Sequence, residues 1–287
     1  MLAIVIGLAS ALTYGVADFF GGLAAKRTAS VVVTAFAALV GLVVLLPATL
    51  LMPGRPSFDA FLWGGLSGIT GAAAIFLLYA ALAIGPMSIL SPLTAVLSAL
   101  VPMTWGLVGG ERLPWWGYVA LGGVLVAIVL VGFVPEKGAV RPRLRGVVYA
   151  TLSGLLIGCF FIFVDQAPAD SGLYPIVANR IVAGSILFVV LGVLLVIARR
   201  RGVPPFPGLR GAWGLIVACG IADAAANVLI LTGLRMGDLT VMSVLAALYP
   251  GGTIALAALV LRERIAPVQW VGLVLALASA AVLAIPA

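Results

Sequence analysis

Residues 60–110 read AFLWGGLSGITGAAAIFLLYAALAIGPMSILSPLTAVLSALVPMTWGLVGG, and none of them is charged. The whole chain is 64% hydrophobic and only 9% charged, whereas an ordinary soluble domain is roughly half apolar and a quarter charged. A helix that crosses the hydrocarbon of a bilayer needs about 20 apolar residues. Membrane β-strands would instead alternate with period two, and the apolar runs here are continuous. The sequence therefore predicts an all-α polytopic membrane protein.

Charged residues, prolines and glycines divide the chain into ten predicted transmembrane helices. Gly85-Pro86 splits the uncharged stretch, because proline disfavours a helical conformation at the residue before it, and Gly237-Asp238 divides helices eight and nine. The predicted helices cover residues 2–24, 29–51, 60–83, 87–110, 114–134, 146–167, 173–198, 211–234, 238–261 and 267–286. Their connections are short, which predicts that neighbouring helices are antiparallel.

The second half of the sequence repeats the first. The two halves align at an offset of 143 in their earlier parts and 152 in their later parts, where Glu111 corresponds to Glu263. We therefore divide the chain into residues 1–143 and 144–287, with five predicted helices each. Because five is odd, the second repeat must enter the membrane from the opposite side. The two repeats are thus predicted to be inverted copies, an arrangement typical of transporters with a site at the repeat interface.

The distribution of the positive charges predicts an orientation. Twelve Lys and Arg residues lie in the loops after helices one, three, five, seven and nine, and three lie in the alternate loops. By the positive-inside rule, this asymmetry places both termini outside the cytoplasm of a bacterial inner (plasma) membrane. It also accounts for the net charge of +7 without a nucleic-acid partner.

The sequence lacks the motifs of an enzyme or a nucleotide-driven pump. It has no HExxH, GxSxG, paired-Asp or GxxxxGK[ST] pattern, which the corresponding chemistries require. It has no histidine, and its cysteines, Cys159 and Cys219, are isolated. We therefore expect no cofactor and no metal site, and we expect the cysteines to behave as small apolar residues.

Polar side chains inside the predicted helices are the candidate site residues, because burying them in a membrane is costly without a role or a partner. On helix one they follow the spacing i, i+4, i+8 and form a single stripe. The candidates for binding substrate or protons are Ser10, Tyr14 and Asp18 on helix one, Ser153 on helix six, Asn179 and Arg180 on helix seven, Asp223 and Asn227 on helix eight, and the aromatic residues Tyr79, Trp105 and Tyr249. The aromatic residues are equally compatible with packing or an interfacial position.

The aspartates have alternative explanations. Asp223 lies at the middle of its helix, where a side chain cannot reach the membrane surface, and this favours a functional role. Asp18 lies eight residues before Lys26, so it is either a site residue or an interfacial acid paired with Lys26 or Arg27.

Charged residues near the ends of helices also have two interpretations. Arg180 is either a substrate ligand or the structural partner of Asp165, Asp170 or Asp223. Glu111 and its counterpart Glu263 adjoin arginines in the sequence, so we expect them to form ion pairs in the loops that anchor the fold.

Prolines and glycines predict interruptions in two helices. Helix four contains Pro92 and Pro102, and helix nine contains Pro250 and Gly251. Interruptions in corresponding helices of two repeats indicate a transport site, although kinks that serve only packing are the alternative.

Several motifs resemble the EamA domains of the drug/metabolite transporter superfamily over essentially the whole chain. They are Tyr14-Gly-Val-Ala-Asp-Phe-Phe-Gly-Gly22, Ala81-Leu-Ala-Ile-Gly-Pro-Met-Ser88 and Gly110-Glu-Arg-Leu113, with Leu231-Thr-Gly-Leu-Arg-Met-Gly237, Arg262-Glu-Arg-Ile265 and Gln269-Trp-Val-Gly272 in the second repeat. The resemblance implies a ten-helix secondary transporter that exports amino acids, other metabolites or drugs. It also implies a cavity lined by helices one, three, four, six, eight and nine, and both termini in the cytoplasm, opposite to the charge distribution.

We therefore predict a secondary active transporter, coupled to protons or another gradient, that exports a small polar or amphipathic metabolite by alternating access. The solute would be amino-acid-like or a cationic drug-like molecule, and membrane lipid would surround the protein. The alternatives are a flippase for a lipid-linked intermediate and a channel, while an intramembrane enzyme is disfavoured by the missing motifs. A monomer is expected, because one chain already contains both repeats.

Overall fold

The structure is a computed structural model that describes residues 1–84, 87–132, 143–202, 208–260 and 266–285. Within these ranges the chain forms eleven α-helices and one short 3-10 helix at Ala169–Ser171. The α-helices are α1 (Leu2–Ala25), α2 (Ser30–Ala48), α3 (Phe58–Ile84), α4 (Met87–Val108), α5 (Trp115–Gly132), α6 (Leu144–Asp165), α7 (Tyr174–Arg200), α8 (Leu209–Leu234), α9 (Leu239–Ala246), α10 (Tyr249–Val260) and α11 (Pro267–Leu283).

The helices agree with a polytopic membrane protein. By length and composition, eight described helical segments can cross a membrane, counting α9 and α10 together as residues 239–260. Two shorter apolar stretches cover residues 93–108, which belong to α4, and residues 267–283, which form α11. Large apolar side chains such as Val43, Leu62 and Val189 are exposed on the outside of the bundle. Such a surface is stable when it faces lipid.

Contacts between loops define the two ends of the bundle. At one end the loop after α2 meets the loop after α6, where the backbone N–H of Arg55 donates to the carbonyl oxygen of Asp170 (2.8 Å). At the other end the Arg27 side chain donates to the carbonyl oxygen of Gly211 at the start of α8 (2.5 Å). We call the first the N-terminal end, because α1 begins there, and the second the basic end. The basic end carries Lys26, Arg27, Arg199, Arg200, Arg201 and Arg210.

The helices pack in matching pairs. α1 packs on α8 as α3 packs on α6, α2 packs on α8 as α3 packs on α7, and α5 packs on α11. When α9 and α10 are counted as one helix, each helix of the first half has its counterpart five helices later. Replacing every helix by its counterpart turns the first contact of each pair into the second, and the contact between α5 and α11 into itself. The contacts therefore follow the repeat seen in the sequence.

Glycines permit the closest approaches between helices. A Cβ atom at Gly15 in α1 would lie 2.6 Å from the Gly252 Cα and from the Tyr249 carbonyl oxygen, closer than packed atoms come. At the N-terminal end, Gly172 has a positive φ of 54°, and a Cβ there would lie 2.7 Å from the carbonyl oxygen of Met52. Small residues at such crossings allow membrane helices to pack without a hydrophobic driving force.

Among the described residues, Glu111 does not form the loop ion pair expected from the sequence. Its carboxylate instead accepts hydrogen bonds from the backbone N–H groups of Leu239 (2.8 Å) and Thr240 (3.0 Å) at the start of α9. A helix N-terminus presents unpaired N–H groups and a partial positive charge, so it competes with an arginine for the carboxylate. Glu263 lies outside the described residues.

Candidate transport site

A central cavity of about 230 Å³ lies between the two halves of the bundle. Its polar and charged lining residues are Tyr14, Asp18, Thr34, Asn179, Arg180, Cys219, Asp223, Asn227 and Tyr249. Apolar side chains such as Ile75, Phe160 and Leu187 form much of the remaining wall. The cavity thus combines a few charged groups with a mostly apolar surface, as small-molecule sites do.

An ion pair connects α7 and α8 at the cavity wall. Nη2 of Arg180 lies 2.5 Å from Oδ2 of Asp223, and the two side chains are 11% and 25% exposed. The sequence left three aspartates as possible partners of Arg180, and the structure selects Asp223. Asn227, one turn further along α8, donates from Nδ2 to the carbonyl oxygen of Asp223 (2.7 Å). This contact fixes the amide beside the pair.

Asp18 on α1 faces the same cavity and is exposed within it. The alternative pairing with Lys26 or Arg27 does not occur, because the described residues contain one ion pair, Arg180 with Asp223. Arg27 is turned instead toward the carbonyl oxygen of Gly211. Asp18 therefore presents a carboxylate to the cavity without a cationic partner among the described side chains.

Three buried polar atoms around the cavity have no hydrogen-bond partner among the described residues. They are the hydroxyl of Tyr14, Nε of Arg180 and Oδ1 of Asn227. Buried polar groups are almost always satisfied, either by protein or by another molecule. These donors and acceptors are thus available to a bound solute or to water.

Asn179 also lines the cavity, but its amide has a structural partner. Nδ2 of Asn179 donates to the hydroxyl oxygen of Ser67 (2.9 Å), which links α7 to α3. The residue next to it, Arg180, is thereby held at a fixed height relative to α3. Asn179 is therefore placed to position Arg180 as well as to contact a solute.

The lining residues show how far the cavity extends along the helices. On α2 they fall between residues 33 and 38, near the start of that helix at the basic end, and on α3 between residues 68 and 78, around and beyond its middle. On α6 they fall between residues 157 and 161 and on α7 between residues 179 and 187, on the side of these helices toward the N-terminal end. The cavity therefore spans the middle of the bundle, and the loop contacts described above close the N-terminal end.

Three of the predicted site residues lie away from the cavity. Ser10 is fully buried and donates to the carbonyl oxygen of Gly7 in its own helix (2.7 Å). Ser153 is also fully buried and donates to the carbonyl oxygen of Ala74 (2.8 Å), joining α6 to α3. Trp105 is 55% exposed on the outer surface of the bundle. The hydroxyls were predicted from helical periodicity, which cannot distinguish a cavity from a helix contact on the same face.

Tyr249 lines the cavity, whereas the side chain of Tyr79 lies outside those that the structure describes. The interruption predicted in helix nine is present as a two-residue turn, Ala247-Leu248, between α9 and α10. Pro250 is then the second residue of α10, where its missing N–H removes no helical hydrogen bond, and Gly251 follows it.

Helix four, in contrast, is not interrupted. α4 runs from Met87 through Pro102 to Val108, so the predicted break at Pro102 is wrong. One proline removes a single backbone hydrogen bond, and neighbouring helices can support the helix around it. Pro102 is buried where α4 packs on Gly158 of α6. The side chain of Pro92 lies outside those described, although its backbone belongs to the same helix.

Two helices contribute to the cavity beyond those that the resemblance implied. α2 supplies Thr34 and α7 supplies Arg180 and Asn179, while no described side chain of α4 lines it. Thr34 was not among the predicted site residues. The sequence did contain an indication of this role. Apart from Ser30 at its start, α2 has one residue with a hydroxyl group, Thr34, in an otherwise apolar helix.

A bundle of helices with apolar outer faces and a charged cavity at its centre is typical of a multi-pass membrane protein with a binding site inside the membrane. A family model described as the EamA-like transporter family matches residues 1–133 and again residues 144–285. The chain belongs to the EamA-like transporter family, which confirms the resemblance seen in the sequence and indicates a transporter of the drug/metabolite type.

A solved structure of another protein has a fold similar to that of this chain. A crystal structure of a protein of otherwise unstated function is similar over 100% of this chain and 99% of its own, with a TM-score of 0.76 and 20% sequence identity. At that identity the likeness shows the fold alone. No curated protein matches the sequence.

Proposed function

We propose that this protein is a secondary active transporter that exports a small organic solute with a cationic group through the central cavity. The observation that carries the proposal is the carboxylate of Asp18, which has no cationic partner among the described side chains and lines the same cavity as the Arg180–Asp223 ion pair. A negative charge in a cavity inside the membrane is stable when a cation or a proton compensates it. With two carboxylates and one guanidinium, the described lining has a net charge of −1, so one cationic group of a solute, or one proton, would neutralise it.

The unsatisfied polar atoms support a solute that also forms hydrogen bonds. The Tyr14 hydroxyl and Oδ1 of Asn227 would contact its polar groups, and the wall formed by Phe160 and Leu187 would contact its apolar part. The cavity volume is compatible with a small amphipathic molecule. Competition between the solute and a proton for Asp18 would couple export to a proton gradient.

In this proposal the chain forms ten transmembrane helices, with α9 and α10 together as one of them, in two inverted repeats that exchange access by rocking around the cavity. The paired helix contacts support this arrangement. The positive-inside rule assigns the basic end to the cytoplasm, so an exporter would load its solute through that end. The closed N-terminal end supports a carrier over a channel.

The test uses purified protein in proteoliposomes that contain a pH-sensitive dye. Amino acids and amphipathic amines are added in turn, and solute-induced proton movement is recorded. We expect that wild-type protein responds to at least one amine, and that Asp18→Asn and Asp223→Asn each abolish the response. Asp59→Asn neutralises an exposed carboxylate in the first turn of α3 and serves as the matched control with wild-type response. Normal proton movement in both cavity variants would show that these aspartates are structural.

A further inference from the structure

The contact between Glu111 and α9 joins the two halves of the chain at the N-terminal end. Glu111 lies in the loop after α4, and its two carboxylate oxygens accept hydrogen bonds from Leu239 and Thr240 at distances of 2.8 and 3.0 Å. The hydroxyl of Thr240 donates in turn to the carbonyl oxygen of Met103 in α4 (3.2 Å). Glu111 therefore contacts α9 directly, and Thr240 of α9 contacts α4 directly.

Gly106 makes room for this arrangement. A Cβ atom on Gly106 would overlap with both the Glu111 carboxylate and the Thr240 hydroxyl. The backbone N–H of Glu111 also donates to the carbonyl oxygen of Gly106 (3.0 Å), which turns the loop back toward the helix. The position of the carboxylate is thus fixed by the end of α4 itself.

α9 depends on Glu111 for a side-chain cap. Asp238 occupies the N-cap position, but its side chain forms no capping hydrogen bond. A carboxylate that accepts two backbone N–H groups at a helix N-terminus makes charge-assisted hydrogen bonds and also interacts with the helix dipole. Glu111 provides both effects from the opposite repeat.

The other contacts at the N-terminal end are of a different kind. Gly54 and Gly172 meet backbone to backbone, and Arg235 donates to the carbonyl oxygen of Gly172 (2.8 Å) and to the hydroxyl of Ser171 (3.0 Å). Burial lowers the pKa of the Arg235 guanidinium, while the Asp170 carboxylate opposes that change. Arg235 connects loops within the second half of the chain, and the contacts of Gly54 and Arg55 with the loop after α6 join the two halves through backbone atoms. Glu111 differs from both, because it joins the two halves through a charged side chain.

α9 continues toward the cavity, because Ala246 at its end and Tyr249 just beyond its turn both line the wall. A displacement of α9 relative to α4 would therefore change both the N-terminal end and the cavity. We propose that Glu111 is a positioning residue that holds the N-terminal end closed by capping α9, and that opening the cavity to that end requires this cap to break. The inference rests on the alternating access proposed above.

Native Cys219 provides the probe, since it lines the cavity and is partly exposed. In a Cys159→Ser background it is the single cysteine of the chain. A membrane-impermeant maleimide is applied to intact cells and, separately, to inverted membrane vesicles, which expose opposite ends of the protein. For the protein with Glu111 intact, we expect labelling in one preparation alone, the one that exposes the basic end.

Glu111→Gln retains one acceptor oxygen, and Glu111→Ala retains none. We therefore expect the labelling rate of Cys219 from the N-terminal end to rise about tenfold in Glu111→Gln and further in Glu111→Ala, because each lost charge-assisted hydrogen bond shifts the equilibrium by roughly that factor. Arg112→Gln alters the exposed neighbouring residue and is the matched control, with labelling confined to one preparation. Glu111→Asp keeps the charge and should rescue part of the closure.

Labelling of the Glu111 variants from the basic end alone, at the rate of the control, would overturn the proposal. Elution of each variant as a single peak in detergent establishes that it is folded. If Glu111→Ala does not fold, the comparison of Glu111→Gln with Glu111→Asp is sufficient for the test. The labelling measures access without any solute. Failure of the transport assay with altered labelling would therefore refute the proposed function but leave the role of Glu111 intact.

Discussion

The ion pair between Arg180 and Asp223 allows a quantitative test of the candidate site. Arg180→Gln leaves the Asp223 carboxylate without its partner, and Asp223→Asn leaves the guanidinium without its own. Loss of one partner of a fully buried pair costs about 3–5 kcal/mol. Here the side chains are 11% and 25% exposed toward the cavity, where water hydrates the remaining charge in part. We therefore expect about 2 kcal/mol of destabilisation for each single variant.

The double variant Arg180→Gln/Asp223→Asn leaves no unpaired charge. It should cost no more than about 1 kcal/mol, because replacing both partners removes the desolvation cost of each ion together with their attraction. The expected coupling energy is thus about 3 kcal/mol. The measurement is the free energy of unfolding in dodecyl maltoside micelles titrated with SDS, followed by tryptophan fluorescence. Additive single effects, with a coupling energy below about 0.5 kcal/mol, would refute the interpretation that the two residues act as a pair.

Two further predictions concern packing and electrostatics away from this pair. Gly15→Val should destabilise the protein by about 1–3 kcal/mol, because its side chain meets the backbone of α10. Gly22→Val on the same helix meets nothing within 4 Å and should elute from detergent like wild type. Equal behaviour of both variants would contradict the close crossing of α1 and α10. Burial and the charge of Glu111 raise the pKa of Asp238 in the folded protein, so folding favours the protonated carboxyl. Protonation of Asp238 therefore adds to the free energy of unfolding at low pH, and this contribution is lost as pH rises through the raised pKa. Asp238→Asn should therefore stabilise the protein at neutral pH in thermal unfolding, and the gain should shrink on acidification, when wild-type Asp238 is itself neutral; a gain that is independent of pH would argue against the effect.

The class of protein and the position of several cavity residues were predictable from the sequence, because the membrane imposes a strong and local constraint. A lipid-facing helix must be apolar along its length, so charged residues within it stand out. Asp18, Arg180 and Asp223 were recognised in this way, and the structure places all three around one cavity. The pairing of Arg180 with Asp223 rather than another aspartate was not predictable, since it depends on how α7 and α8 are rotated against each other.

Contacts made through the backbone were the part that the sequence could not supply. The expectation of a loop ion pair for Glu111 considered side chains alone, and the unpaired N–H groups of α9 are not visible in residue types. The prediction that the Ser153 hydroxyl belongs to the site failed for a similar reason. Ser153 donates to the carbonyl oxygen of Ala74 where α6 packs on α3, and in the sequence such a residue resembles a site residue. Likewise, Pro102 lies inside an intact α4, because tertiary packing compensates for the single hydrogen bond that it removes.

Within the described residues, the two repeats differ in a helix that bears on the proposed exchange of access. α4 is continuous, whereas its counterpart in the second repeat is divided by the turn at Ala247-Leu248 into α9 and α10. In a carrier made of two identical inverted repeats, the states open to either side would be related by symmetry and would have equal free energy. A helix that is broken in one repeat and intact in the other removes this degeneracy. Under the proposed alternating access, the protein would then have a preferred resting state even without solute or gradient, and the difference in free energy between its two states would set how much of the binding energy of a solute each turnover must supply.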